Sequence, residues 1–311
     1  MLTRRQALAA PLLAAVPTVA GLARRAAAAS PFRVAYAGSM GALMDHGIGP
    51  AFAAMDHVAY QGIGHGSFAL ARLIAAKQMV ADVFVPITAG PFEVVRSAGL
   101  GPHAVPVAST QMCIAYSPKS RFAKDFAAAA AGQVPWYEVL LKPGVRFGRT
   151  DPRTDPQGRN ILFTLRLAEI FYHQPGLAVK LLGPALNPQQ IFTEPSLLAR
   201  LEAGQIDASS GYLSAVHSQH LLFIPLPGEI NLGDPTMAAK WYSRARIPVP
   251  EPHGTTKLAS PDPLEFYAVA LANAPDPAAA RRFVAFLRGA AGQKLFASYG
   301  YSKPGGPVLS A

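Results

Sequence analysis

Apolar positions along this chain alternate between two rhythms. Short runs at Phe32 to Tyr36, Val58 to Gln61, Ala81 to Val85 and Gln111 to Tyr116 have the length and composition of strands. Between them, a stretch beginning near Met40 and the set Leu70, Leu73 and Ile74 repeat at helical spacing. The second half continues in kind. The spacing predicts a helix over Phe122 to Ala131. Gly158, Ile161, Leu162, Leu165, Ala168 and Tyr172 share another helix face, which Pro175-Gly176 stops. Further strands are expected at Ile206 to Tyr212, Leu221 to Leu226, Ala245 to Val249 and Phe266 to Leu271. Asp276-Pro277 opens a helix through Arg288, and a last helix reaches about Ser298. Alternating β and α elements imply an α/β fold of mostly parallel sheets flanked by helices. In such sheets, ligands collect beyond the carboxyl ends of strands.

Polar residues concentrate where those strand ends fall. Ala37-Gly38-Ser39 leads from the first strand into a helix with Ser39 at the cap position, and Gly62 to Ser67 reads as a glycine-rich turn before the next helix. Val145 to Phe147 ends a strand, Gly148 to Thr154 is a polar loop, and Asp155-Pro156 is an N-cap followed by proline at the first helical position. Such a helix start offers backbone N–H groups and a positive dipole end to an anion. Asp-Pro also occurs at Asp151, Asp234, Asp262 and Asp276, so Asp155 can equally be an ordinary cap. At Thr193-Glu194-Pro195, the cap is either Glu194 or Thr193.

Composition narrows the class. At 311 residues with half of them apolar and 15% charged, the chain can bury a large core as one big domain or two lobes. Arg4-Arg5 ahead of an apolar run and the small residues Ala26 to Ala29 read as an export signal over residues 1–30, of the twin-arginine or the general secretory type. Its removal takes Arg4, Arg5, Arg24 and Arg25 and no acid, lowering the formal charge from +10 to +6. The remaining basic residues form no run of the kind that marks a nucleic-acid arm. Cys113 is the single cysteine, in an apolar run, so no internal disulfide and no cysteine-rich metal cluster can form. No cysteine ends the signal to carry a lipid, and a soluble periplasmic chain is expected.

Catalytic templates mostly fail. The chain has no P-loop, HExxH or GxSxG, and Gly62 to Ser67 lacks the spaced third glycine of a dinucleotide fingerprint. His217 and His220 lie three apart without a suggested carboxylate or cysteine partner, and surface or capping roles are expected for them. Neither a cofactor nor an enzyme is expected.

Several blocks resemble the solute-binding proteins of ABC transporters for molybdate and tungstate, especially the branch first described in archaea. They are Ala37-Gly38-Ser39, Gly66-Ser67, Ala81-Asp82-Val83 and Trp136 to Leu140. Arg146-Phe147-Gly148 with Asp155 to Gly158, Leu201 to Asp207, Tyr212 to Val216 and Leu226 to Leu232 follow in the same order. The resemblance implies a two-lobed periplasmic binding protein of type II. Lobe 1 would comprise 31–110 and 258–311, and lobe 2 would comprise 111–257. It implies that Ser39 and Ser67 donate hydrogen bonds to one oxyanion, that Asp155 and Glu194 approach its metal centre, and that Tyr212 lies beside them. The partners implied are molybdate or tungstate and a membrane permease, with the protein itself a monomer. Sulfate, phosphate or a small organic anion is the nearest alternative ligand; an exported cofactor-dependent enzyme is a more distant reading. Gln157 departs from a cysteine frequent in the family, Arg159 from a tyrosine and Thr88 from an acidic residue.

Overall fold

The computed structural model describes residues 30–310, so the expected export signal lies outside the described residues apart from Ser30. The strands, numbered in chain order, form two sheets and a ribbon. The six-stranded sheet runs β12 (Leu309–Ser310), β4 (His103–Ser109), β11 (Glu265–Ala270), β3 (Val83–Val85), β1 (Phe32–Ala37), β2 (Tyr60–His65). The four-stranded sheet runs β6 (Phe147–Gly148), β7 (Ala208–Tyr212), β5 (Met112–Tyr116), β8 (Leu222–Pro225). β9 (Ile247–Pro250) and β10 (Thr256–Ala259) pair as an antiparallel ribbon. Each sheet with its helices is one lobe of a two-lobed α/β fold.

Both sheets are mixed, with less parallel pairing than the β–α alternation suggests. β1 is parallel to β2 and β3, and β6 to β7. β11, by contrast, arrives from late in the chain and runs antiparallel to β3 and β4, and β5 is antiparallel to both its neighbours. The chain passes between lobes twice, once just after β4 and once before β11. These passages touch: Thr110 N–H donates to Leu264 O at 3.0 Å, and Leu264 N–H to Leu232 O at 2.9 Å.

Aromatic packing anchors the first lobe. The rings of Phe32, Phe52 and Phe283 lie 4.8 to 5.5 Å apart, clamping β1 against the Gly49–Asp56 and Pro277–Arg288 helices. Tilted and edge-on pairs of this kind contribute about 0.5–1.5 kcal/mol each beyond area burial. In the second lobe a carboxylate does comparable work. Buried Asp207 accepts from Arg146 N–H at 2.8 Å, from Arg146 Nε and Nη2 at 3.0 Å, and from Ser120 Oγ at 2.8 Å. It thereby ties the start of β6 to that of β7. Cys113 is fully buried among Leu197, Leu201 and Val216, and burial raises its thiol pKa.

One expected turn is corrected, and one strand is added. Gly62 and Gly64 belong to β2 and form no turn, because the Tyr36 ring on neighbouring β1 lies where their side chains would be: a Cβ on Gly64 would come within 2.7 Å of it. The strand His103–Ser109 goes unmarked in the sequence because Pro106 breaks the pattern of a central strand. It is accommodated where the register with β11 shifts between Phe266 and Tyr267.

Candidate functional site

The site is assembled from strand ends of both lobes. β1 and β2 are parallel neighbours whose last residues pair, Ala37 with His65, so the turns after them are adjacent. Ser39 lies inside the 3-10 turn Gly38–Met40, not at a cap; its Oγ is buried and has no hydrogen-bond partner among the described residues. Ser67 is the first residue of the Ser67–Ala75 helix, and its Oγ accepts from Ile87 N–H at 3.4 Å, leaving its own proton free to donate.

From the second lobe come the other three residues. Asp155 caps the Pro156–Phe171 helix by accepting from Gln157 N–H at 2.9 Å. The Gln157 side chain in turn donates to Ser210 O at 2.8 Å, fixing the helix start against β7. Glu194 is the first residue of the Glu194–Ala203 helix, with Thr193 at the cap, so of the two caps the sequence allowed, Thr193 is the one used. Its hydroxyl makes no capping bond. Tyr212 ends β7, and its phenol oxygen accepts from Asn160 Nδ2 at 2.9 Å.

These pieces meet across the cleft. Ala69 N–H donates to Thr154 O at 3.2 Å, and a Cβ on Gly66 would lie 2.6 Å from that carbonyl and 3.3 Å from the Asp155 Cβ. Across from them, a Cβ on Gly38 would lie 2.6 Å from Glu194 Oε2. Glycine at both positions is what permits the two backbones to close on the carboxylates. Between them is a cavity of about 480 Å3, lined by Asp155 and Glu194 together with His65, Thr150, Thr154 and Phe192. Ser39, Ser67 and Tyr212 are buried and do not line it; Gly38 and Gly66, their neighbours in the two serine turns, do. Among the described residues, no lysine or arginine lines it. Three helices of eight residues or more begin here, at Ser67, Pro156 and Glu194, so positive dipole ends converge where cationic side chains are missing.

The carboxylates are electrostatically coupled. Burial is the main cause that pushes the Asp155 carboxyl up to about 6; the Gln157 N–H and Thr150 hydroxyl pull it down, and Asp151 adds a small rise. Glu194 is pushed well above the usual carboxylate range, first by burial and then by the charge of Asp155, with the Ser39 N–H opposing. Burial and then Asp155 likewise raise the Tyr212 phenol. The pair therefore favours a state holding a proton. Asp151 also lines the cavity, but its carboxylate is engaged locally. Its carboxylate accepts from Arg153 N–H at 2.8 Å and pairs with the Arg153 guanidinium at 2.6 Å.

Several residues of the site carry no signal that sequence reasoning picked out. Thr150 and Thr154 sit in a loop read only as polar, and Asn160 lies on the helix face that meets β7, a relation visible only after folding.

This architecture defines a class, the two-lobed extracytoplasmic binding proteins. Among solved structures it resembles the periplasmic molybdate-binding protein of Azotobacter vinelandii (TM-score 0.59, 14% identity, 88% of this chain and 100% of that one). It also resembles the sulfate-binding protein SubI of Mycobacterium tuberculosis (TM-score 0.54, 16% identity, 87% and 85%). These likenesses speak for the fold. The chain belongs to the bacterial extracellular solute-binding protein family, which it matches over residues 32–302. Among curated relatives, a Haloferax volcanii protein named as an ABC transporter molybdenum-binding protein is 31% identical over 78% of this chain and 74% of its own length. The molybdate/tungstate-binding protein WtpA of Thermococcus kodakarensis is 28% identical over 61% of this chain and 57% of its own. The family and these relatives are solute-binding proteins, not enzymes. No helix among the described residues is long and apolar enough to cross a membrane.

Proposed function

We propose that this protein captures molybdate or tungstate between its lobes and delivers it to an ABC permease. The observation that carries the reading is the buried pair Asp155 and Glu194, set among hydroxyls and helix N-termini in a cleft lined, among the described residues, by no lysine or arginine. Two carboxylates repel any dianion. They become an asset only when the anion's central atom can accept oxygen ligands beyond its own four or when a proton is taken up with it. Molybdenum and tungsten accept such ligands; sulfur and phosphorus do not, so the same pair selects against sulfate and phosphate. The names of the Haloferax and Thermococcus relatives support this choice.

In this reading Ser39 and Ser67 donate to the oxyanion from the first lobe, Asp155 and Glu194 approach its metal centre, and Tyr212 donates from behind. Lobe 1 comprises 31–110 and 258–311 and lobe 2 comprises 111–257, with closure at the two crossing passages. The protein works as a monomer in the periplasm, exported by its twin-arginine signal, and the charge of the mature chain assists anion capture. A thermal melt tests the function simply, because a ligand that binds only the folded state raises Tm with concentration. Molybdate and tungstate should do so at micromolar levels and sulfate should not; equal shifts with sulfate reject the selectivity.

A further inference from the structure

We infer that Arg159 and Phe68 form a latch that holds the cleft closed and sets the rate of ligand release. The inference rests on reading the cleft as an anion site that works by lobe closure. Arg159 lies four residues after Asp155 on the second-lobe helix, hence on the same face. Phe68 directly follows Ser67 on the first-lobe helix. Their side chains meet across the cleft, with the Arg159 guanidinium carbon 3.8 Å from the centre of the Phe68 ring. The guanidinium is held in this pose from behind. Its Nε donates to Pro152 O at 2.7 Å, and its Nη2 pairs with Glu251 Oε1 at 3.0 Å. Glu251 immediately follows β9, so the crossing ribbon is tied into the same junction.

The placement separates this contact from ligand binding itself. Arg159 and Phe68 do not line the cavity between Asp155 and Glu194. They stand one step behind it, on the two helices whose N-cap residues, Gly66 and Asp155, line it. The Arg159 side chain is only 12% exposed, so the stacked cation is shielded from water, the condition under which such contacts are strongest. A planar guanidinium can stack on a ring while its edge keeps hydrogen bonds and an ion pair; an ammonium cannot do both. The neighbouring cross-lobe contacts, Ala69 N–H to Thr154 O and Arg72 Nη2 to Arg153 O, end on backbone carbonyls. Arg159 on Phe68 is thus the side-chain pair through which closure at this edge can be tuned without altering the anion's own ligands.

The test has two arms. In stopped-flow release of molybdate, Phe68→Leu and Arg159→Ala should each speed dissociation by about tenfold with little change in association, since a shielded cation–π contact is of that size and acts after encounter. The double variant should be no faster than Arg159→Ala alone, Phe68→Trp should restore slow release, and Arg159→Lys should restore it only in part. Additive effects, or variants that release at the wild-type rate, overturn the latch. The second arm needs no ligand to bind. Spin labels at Met55→Cys and Val179→Cys, both exposed and on opposite lobes, report the interlobe distance while Cys113 stays buried. Arg159→Ala and Phe68→Leu should shift the population toward longer distances. A distribution unchanged in both variants, with and without molybdate, overturns the latch, whereas wild-type protein that binds neither metal oxyanion overturns the reading of the cleft instead.

Discussion

Glu194 and Gly38 stand face to face across the cleft, so close that a Cβ on the glycine would lie 2.6 Å from the glutamate Oε2. Gly38 does not have positive φ, so its lack of a side chain serves this approach and not a backbone requirement. Gly38→Ala should therefore fold normally, with a stability change under about 1 kcal/mol. It should nevertheless weaken anion binding by about tenfold, because the carboxylate must move. Calorimetric titration of the variant beside its melting curve checks both halves. An alanine variant with wild-type affinity contradicts the placement of Glu194 at the ligand.

Charge removal discriminates the site from a look-alike. Glu194→Gln should weaken molybdate binding by well over about tenfold. Asp234→Asn, which touches a cap accepting from the Thr236 N–H and hydroxyl, should leave it within about twofold.

The raised carboxyls predict a pH dependence of definite sign. Asp155 has a folded value of about 6 against an ordinary value near 3.9, so its contribution to stability is fully present below pH ~4 and is lost as pH rises through about 6. The ligand-free protein should thus melt at a lower temperature at pH 7 than at pH 5, and Asp155→Asn should flatten that trend. A bound dianion adds more negative charge to the same buried site, so the complex should take up a proton. Affinity should tighten from pH 8 to pH 6, and heats in two buffers of different ionisation enthalpy should differ accordingly. Identical heats in both buffers with a flat affinity would count against the coupled pair.

A structural carboxylate should behave in the opposite way. Burial pushes Asp207 up, but its hydrogen bonds from Arg146 and Ser120 outweigh that and hold it below the usual range. Its stabilisation is present above the unfolded carboxylate value near 4 and fades as pH falls through its lower folded value. Asp207→Ala should cost about 1–3 kcal/mol near neutral pH, since it leaves the Ser120 hydroxyl and the Arg146 N–H without their acceptor while the Arg146 guanidinium, 54% exposed, can turn to water, and the gap to wild type should narrow below pH 4. Urea melts at pH 7 and pH 3 measure the difference.

Legibility in the sequence followed the range of the interactions. Asp155 as a cap could be read locally, because Asp followed by Pro and a helical apolar face is a signal confined to a few residues. The strand cores of β1, β5 and β7 were equally plain. Gly62 and Gly64 were misread as a turn because the cause of their smallness, the ring of Tyr36, lies on another strand. Ser39 looked like a cap for want of any local sign that its hydroxyl would be left without a partner. The blocks around Arg146 and Asp207, which carried much of the family resemblance, turn out to meet in an ion pair that holds the lobe together. The meeting of Gly66 with Thr154, of Gly38 with Glu194 and of Phe68 with Arg159 depends on two lobes closing, and no periodicity encodes that.

Isothermal titration of the mature protein with molybdate, tungstate, sulfate and phosphate tests the central claim most directly. Saturable heat is expected with molybdate and tungstate, one anion per chain, at micromolar protein, and none with sulfate or phosphate under the same conditions. Absence of heat with both metal oxyanions, or equal binding of sulfate, would contradict it.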